Sequence, residues 1–426
     1  MTNISENAHY PLQKKIGLVL GPVFFCLLLL LPNPEWLKPE AKQVLAIAAW
    51  MLAWWTTEAV NISVTALLPL VLLPLMGIEG ISMDSTSEPY GNKIIFLFMG
   101  GFVVALAMEK WKLHLRIALN IVSLTGTNAN GIILGFMLAT AFLSMWISNT
   151  ATTVMMLPIA TSIIHLLSQK READAHKIGK FALTMMLAIA YAANIGGIAT
   201  IIGTPPNTVF AGYMSKELGT PIDFMEWMML GVPFAAIMLA ITYFMLVKVL
   251  YPNQLGKFEG AEAIIASERD KLGKISSEEQ KVLVVFMLTA LAWIGRKYIN
   301  DFFPSLKLTD TGIAMMAAVL LFMIPSNFKE GKFLLTWDDM KRLPWGILLL
   351  FGGGLSLANA MSATGLIDLI GHYISAQNNW AVWAVILVLT TSVLFMTERM
   401  SNVALITIFL PILAGVASGL GENTLL

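Results

Sequence analysis

The chain has 426 residues, of which 57% are hydrophobic and 13% charged, and its mean hydropathy is +0.73. That composition excludes an ordinary soluble globular protein and puts most of the chain in a membrane. Its 27 basic side chains balance 27 acidic ones, which gives no case for nucleic acid, and a single cysteine, Cys26, excludes an intrachain disulfide or a thiolate metal cluster.

The first 15 residues are polar, with Lys14-Lys15 just ahead of an apolar run at 16–31. No small-residue cleavage site follows that run, so it reads as a first spanning helix and not as a removed signal peptide. Further apolar stretches at 44–60, 64–78, 94–108, 181–202, 228–250, 282–294, 312–324 and 345–361 are long or nearly long enough to cross about 30 Å of hydrocarbon as helices. Two others, 131–167 and 379–418, are each cut near the middle by a Ser-Asn pair. They are expected to enter the bilayer and return on the same side, because non-helical backbone at that depth survives only where protein or a water-filled cavity surrounds it.

Lys and Arg set the expected orientation. With Lys14-Lys15 in the cytoplasm, the basic segments 110–116, 170–180, 257–281 and 329–342 also fall inside. The opposite loops, 33–42, 78–92 and 216–226, are acidic or neutral, and 296–309, with Arg296-Lys297, is a mild exception. The hairpin around Ser148 then dips in from the cytoplasm, and the one around Ser401 from the other face.

A constant offset of 253 residues relates the two halves. It carries Ser148-Asn149 onto Ser401-Asn402, Leu157-Pro158-Ile159 onto Leu410-Pro411-Ile412, Gly100-Gly101 onto Gly353-Gly354, and Ser144 onto Thr397. A gap-free match of this kind is an internal duplication. In a membrane protein, polar, Gly/Pro-interrupted segments at matching positions of two halves point to a transporter's binding site, and opposite insertion makes the repeats inverted. The expected organisation is a first inverted repeat at 16–252, with the hairpin 131–167 and a broken helix at 181–213, a cytoplasmic linker at 253–281, and a second repeat at 282–426 with the hairpin 379–418.

A helix that starts inside a membrane offers free N–H groups and a partial positive charge to an anion. The carbonyls at the end of the preceding half-helix, with Ser and Asn oxygens, suit an alkali cation. One motif therefore holds a cation beside an anion; the plainer reading is that these small polar residues only join helices. The hydroxyls of Ser144 and Thr397 lie four residues before each Ser-Asn pair, one helical turn away. A third break, Gly203-Thr204-Pro205-Pro206-Asn207, interrupts the run from 181 and is expected to meet the first hairpin tip, a simple proline kink being the alternative. Its repeat partner falls near residue 456, past Leu426, so the second repeat is expected to be incomplete and a C-terminal part missing.

The segments Ser148-Asn149-Thr150-Ala151-Thr152-Thr153, Ile195-Gly196-Gly197-Ile198-Ala199-Thr200 with Gly203-Thr204-Pro205-Pro206-Asn207, Trp54-Trp55-Thr56-Thr57-Glu58-Ala59, and Thr397-Glu398 with Ser401-Asn402-Val403 resemble the divalent anion:sodium symporter family, the sodium-coupled di- and tricarboxylate transporters. The resemblance runs from about 16 to 418. It implies an all-α, multi-pass protein of the plasma (bacterial inner) membrane, a homodimer in which a scaffold holds an elevator-type transport domain. It also implies import of a di- or tricarboxylate, a C4-dicarboxylate such as succinate or malate, together with sodium ions. Residue by residue, one sodium site would use Ser144, Ser148, Asn149 and the Gly203 carbonyl, and the other Thr397, the Met400 carbonyl and Asn402. Substrate carboxylates would meet Asn149, Thr150, Thr204, Ser401 and Asn402. Val403 departs from the Thr that bacterial members often carry there, which leaves substrate choice open.

Other candidates carry less. Glu58 follows an aromatic pair and reads as scaffold, Glu109 as interfacial, and Glu398 and Arg399 as facing a neighbouring helix or the vestibule in preference to substrate. The five histidines show no metal-ligand spacing, and His114 and His176, in basic loops, read as solvated. The 26 methionines are expected to pack, and the paired glycines to permit close helix crossing. Two other functions stand beside symport: a sodium-independent dicarboxylate exchanger of the same fold, with Arg399 replacing a cation, and an intramembrane serine enzyme. The enzyme lacks a base, since neither hairpin core holds His or Lys at helical spacing from Ser148 or Ser401.

Overall fold

The computed structural model describes residues 10–126, 128–169, 175–216, 218–252, 255, 261–375, 381–398 and 400–422; Arg399 and residues 170–174 of the second basic segment lie outside them. In chain order the helices are α1 (Leu12–Leu30), α2 (Pro39–Thr57), α3 (Ile62–Thr65), α4 (Leu68–Leu75), α5 (Met83–Ser87), α6 (Lys93–Lys110), α7 (Leu113–Leu124), α8 (Ala129–Ser144), α9 (Asn149–Gln169) and α10 (Ala175–Ile198). They continue with α11 (Pro205–Lys216), α12 (Phe224–Phe244), α13 (Ala261–Leu272), α14 (Ser277–Phe302), α15 (Asp310–Met323), α16 (Trp345–Ala363), α17 (Leu366–Ser375), α18 (Val382–Thr397) and α19 (Asn402–Gly419). Among the described residues the sheet structure is one short antiparallel pair, Pro325–Asn327 with Lys332–Phe333. Eight helical segments of the described residues are long and apolar enough to cross a membrane. Several turn their apolar side chains outward: α12 leaves Leu230, Ile237 and Phe244 exposed, as a lipid-facing helix does.

The helix ends recur at the offset found in the sequence. α8 and α18 are 253 residues apart at both ends, α9 and α19 at their starts (Asn149, Asn402), α7 and α17 at their starts (Leu113, Leu366), and α6 and α16 at their ends (Lys110, Ala363). Even the backbone sign repeats: Lys112, ahead of α7, and Gly365, ahead of α17, both take positive φ (57° and 73°). A lysine pays more strain than a glycine in that conformation, so the reversal ahead of α7 is imposed by the packing on either side of it.

Two compact units are formed by packing. One comprises residues 1–95, 212–220 and 344–426, the other 96–211 and 221–343. In the first, Ile47, Met51 and Trp55 of α2 and Leu73 of α4 are buried with Leu350 and Leu357 of α16 and with Ala404, Leu405 and Ile408 of α19. The stretch 64–78, expected as one span, is interrupted here between α3 and α4. Pro69 and Pro74 withhold two N–H donors, and the Ala66 carbonyl at the interruption accepts from Tyr90 Oη, so a side chain takes the place of a helical bond. Paired glycines of α16 give close approach: a Cβ on Gly353 would stand 2.2 Å from the Ala66 oxygen, and one on Gly354 2.0 Å from Thr407 Cγ2 of α19.

The second unit contains α7 to α10, α12 to α15 and most of α6 and α11. At one end of it Lys110 meets Asp339 (2.7 Å), Arg342 meets Glu109 (3.0 Å), and Arg116 binds Glu279 through two bonds of 3.0 Å while also donating to the Leu272 and Gly273 carbonyls. Three of the basic segments assigned to one side thus converge on one end of the unit. Elsewhere in it Arg296, the exception among the opposite loops, is held between Asp223 and Asp310, the latter at 3.0 Å. Its charge is thus neutralised on the spot. His114 corrects the expectation of solvation: it is buried in α7, 4% exposed, with Nδ1 bonded to the Met108 carbonyl at 2.8 Å. Desolvation holds its imidazole below the usual pKa, the carbonyl opposing that only in part. His176 is exposed, as expected.

Candidate functional site

Within the second unit, α8 ends at Ser144 and α9 begins at Asn149, leaving Met145, Trp146, Ile147 and Ser148 as the break. Ser148 is the cap: its Oγ accepts from the Ala151 N–H (3.3 Å) and its carbonyl from Thr152 (3.0 Å), so the helix starts at the Asn of the Ser-Asn pair. Ser144 is fully buried, and its hydroxyl donates to Asn149 Oδ1 at 2.7 Å. Two of the expected ligand oxygens are therefore in contact, five residues apart across the break.

The other wall is the break between α10 and α11. Gly197 faces Asn149: a Cβ there would sit 2.5 Å from Asn149 Oδ1. Gly203 in turn abuts Gly197, since a Cβ on it would lie 2.5 Å from the Gly197 oxygen. Ser144, Asn149 and the segment of Gly203 are thus brought into one neighbourhood. The carbonyls freed at the end of α10 are taken by side chains. Asn207 Nδ2 donates to Gly197 (2.9 Å) and Thr200 (2.8 Å), Thr208 Oγ1 to Ile201 (2.7 Å), and Trp227 Nε1 to Ile198 (2.9 Å). Thr200 Oγ1 crosses to the Met145 carbonyl at 2.5 Å and ties the two breaks together.

Trp146 fixes the break from behind. Its ring meets Phe286 edge-on at 5.0 Å and lies parallel to Trp293 of α14 and Phe224 of α12 at 6.4 Å and 6.2 Å. Thr150 is exposed and Thr204 half-buried, both open to a ligand. Sequence reasoning missed Asn194 and Thr200 as parts of this site. Asn194 donates nothing to its own helix here but accepts from Asn149 Nδ2 at 3.2 Å. Its signal was a polar residue three positions before Gly197, on the same face of an otherwise apolar helix.

The first unit holds the second break. α18 ends at Thr397, whose Oγ1 donates to the Leu394 carbonyl of its own helix (2.7 Å), and Met400 is buried with its N–H on the Met396 carbonyl (3.2 Å). α19 starts at Asn402, which is exposed, with Ser401 half-buried at the cap position. Thr397, Met400, Ser401 and Asn402 are thus gathered at one interruption. Of the charged candidates, Glu58 ends α2 and lies 3.4 Å from Lys14, Glu109 is paired as described, and Glu398 is exposed.

A multi-pass helical membrane protein with two matching helix interruptions, each opening on Ser-Asn, has the architecture of a secondary transporter. The family model described as the sodium:sulfate symporter transmembrane region matches residues 12–426, and the chain belongs to that family. It is 41% identical to a sodium-dependent dicarboxylate transporter, SdcS, of Staphylococcus saprophyticus over 100% of this chain and 82% of that one. It is 42% identical to proteins of the same name from two strains of Staphylococcus aureus, over 96% of this chain and 79% of each of them. The family and these bacterial relatives agree with an integral protein of the plasma membrane.

Proposed function

We propose that this protein imports a C4-dicarboxylate, such as succinate or malate, driven by co-transported sodium ions. The observation that carries the reading is the first break, where Ser144 and Asn149 bring two hard oxygens within 2.7 Å of each other beside the segment of Gly203. Hard, neutral oxygens without a carboxylate or thiolate suit a monovalent alkali cation better than a transition metal. The relatives named as sodium-dependent dicarboxylate transporters support the same cation and the same substrate class.

In this reading Ser144, Ser148, Asn149 and the Gly203 carbonyl hold one sodium ion, and Thr397, the Met400 carbonyl and Asn402 the other. Asn149, Thr150, Thr204, Ser401 and Asn402 meet the carboxylates. A cation at a break lowers the cost of bringing a carboxylate to the helix start beside it, and the carboxylate does the same for the cation, so neither binds well alone. That mutual dependence is what couples the gradients. The recurrence of helix ends at 253 residues supports a duplicated architecture, for which we propose inverted repeats at 16–252 and 282–426 joined by 253–281, a scaffold with an elevator-type transport domain, and a homodimer.

The test is uptake of labelled succinate into proteoliposomes. An inward sodium gradient should drive accumulation, and replacing sodium by choline should stop it. Undiminished uptake in choline, dependent on dicarboxylate loaded inside the vesicles, would instead identify a sodium-independent exchanger.

A further inference from the structure

An asparagine amide has one accepting and one donating end of nearly equal shape, and only its partners decide which end faces which way. Asn149 has such partners on both sides. Its Oδ1 accepts from buried Ser144 Oγ at 2.7 Å and its Nδ2 donates to Asn194 Oδ1 at 3.2 Å. Ser144 cannot fix the orientation by itself, because a hydroxyl accepts as readily as it donates and would serve a flipped amide equally well. Asn194 supplies the second constraint. It stands on α10 one turn before Gly197, the residue whose missing side chain leaves room for Asn149 Oδ1. One face of α10 is therefore shaped to both ends of this amide: a gap for the oxygen and an acceptor for the nitrogen.

We infer that Asn194 is a positioning residue for cation binding, keeping the Asn149 amide turned so that its oxygen faces Ser144. The inference rests on the reading that Ser144 and Asn149 ligate sodium. A cation beside Ser144 is attracted by the amide oxygen and repelled by the amide hydrogens of the flipped form, so an orientation held in advance raises affinity without adding a ligand. Because Asn194 is itself an amide, the pair has a second arrangement in which both turn over: Asn194 then donates to Asn149 Oδ1 and Asn149 Nδ2 points at Ser144. Sodium selects the first arrangement, and its absence allows the second.

Two substitutions separate this from a packing role. Asn194→Asp keeps the shape and makes position 194 an obligate acceptor, which locks the productive orientation. Asn194→Leu keeps the volume and removes the acceptor. With purified full-length protein in proteoliposomes, half-saturation by sodium should rise about two- to fivefold in Asn194→Leu, the worth of one lost orienting hydrogen bond on an exposed side chain. In Asn194→Asp it should equal the parent or fall below it. The succinate KM at saturating sodium should move less than about twofold in either, since the site is then occupied. Loss of sodium affinity in both variants, or in neither, overturns the inference. Asn149→Ala is the control for the underlying reading: normal sodium-dependent uptake in that variant rejects the ligand assignment, whereas its failure alongside indifferent Asn194 variants rejects only the orienting role.

Discussion

Gly196 and Gly197 are neighbours on α10, yet they should fail in different ways when given a methyl group. At Gly197 the new Cβ would stand 2.5 Å from Asn149 Oδ1 and 3.2 Å from the Asn149 Cγ and Nδ2, so its three nearest neighbours all belong to the end of one side chain. Carbon and oxygen rest no closer than about 3.3 Å, so the Asn149 oxygen has to retreat by about 0.8 Å. Alanine gains about 1 kcal/mol over glycine inside a helix, and turning one side chain off its rotamer costs about as much, so the fold should be nearly unaffected. A ligand moved by that distance is out of coordination, and displacements of about 1 Å at a site cost on the order of a hundredfold. At Gly196 the added Cβ would lie 2.2 Å from the Ala141 carbonyl oxygen and 2.5 Å from its Cα, so backbone of α8 or α10 must move. Overpacking of that kind costs about 1 to 3 kcal/mol. Gly197→Ala should therefore raise the sodium concentration for half-maximal succinate uptake at least about tenfold while its melting temperature in detergent stays at the parent value. Gly196→Ala should lower the melting temperature. Parental sodium dependence in Gly197→Ala, or equal destabilisation of the two variants, would refute the reasoning.

Asn149→Ala should abolish sodium-dependent succinate uptake while leaving membrane insertion and monodisperse extraction unchanged, checked by transport and size-exclusion chromatography. Arg116→Ala leaves Glu279, which is 5% exposed, without its doubly bonded partner and should cost about 2 kcal/mol, less than a fully enclosed pair because the guanidinium keeps some solvent; thermal melts should show the loss, and adding Glu279→Gln should recover part of it. Asp339 loses solvation near Lys110, which alone would raise its pKa, but the bonds from Lys110 and Thr336 win and hold the carboxyl below its ordinary range. A lowered folded pKa gives stability that is complete above about pH 4 and disappears as pH falls through the folded value, so Lys110→Met should shift acid unfolding to higher pH and cost about 1 kcal/mol at pH 7.

The helix interruptions were legible because polar and proline residues are conspicuous in apolar runs, and the 253-residue offset paired Ser144 with Thr397 and Asn149 with Asn402, positions that fall at matching helix ends in the structure. What stayed hidden depends on contacts between elements distant in the chain. The interruption between α3 and α4 needs Tyr90 to hold the Ala66 carbonyl, and no local pattern announces a bond over 24 residues. His114 looked solvated among basic neighbours, and only the turn of α6 that offers the Met108 carbonyl makes burial affordable. Asn194 was visible as a polar residue, but its partner across 45 positions was not.

The unwound backbone at the end of α10 has one more consequence. Its carbonyls at Gly197, Ile198, Thr200 and Ile201 are occupied by Asn207, Trp227 and Thr208, all members of the same compact unit. A rigid displacement of that unit breaks none of these bonds, and no hydration water has to travel along to keep the backbone satisfied. In the elevator-type movement proposed above the interruption is dry cargo, its four carbonyls already satisfied by side chains that travel with it.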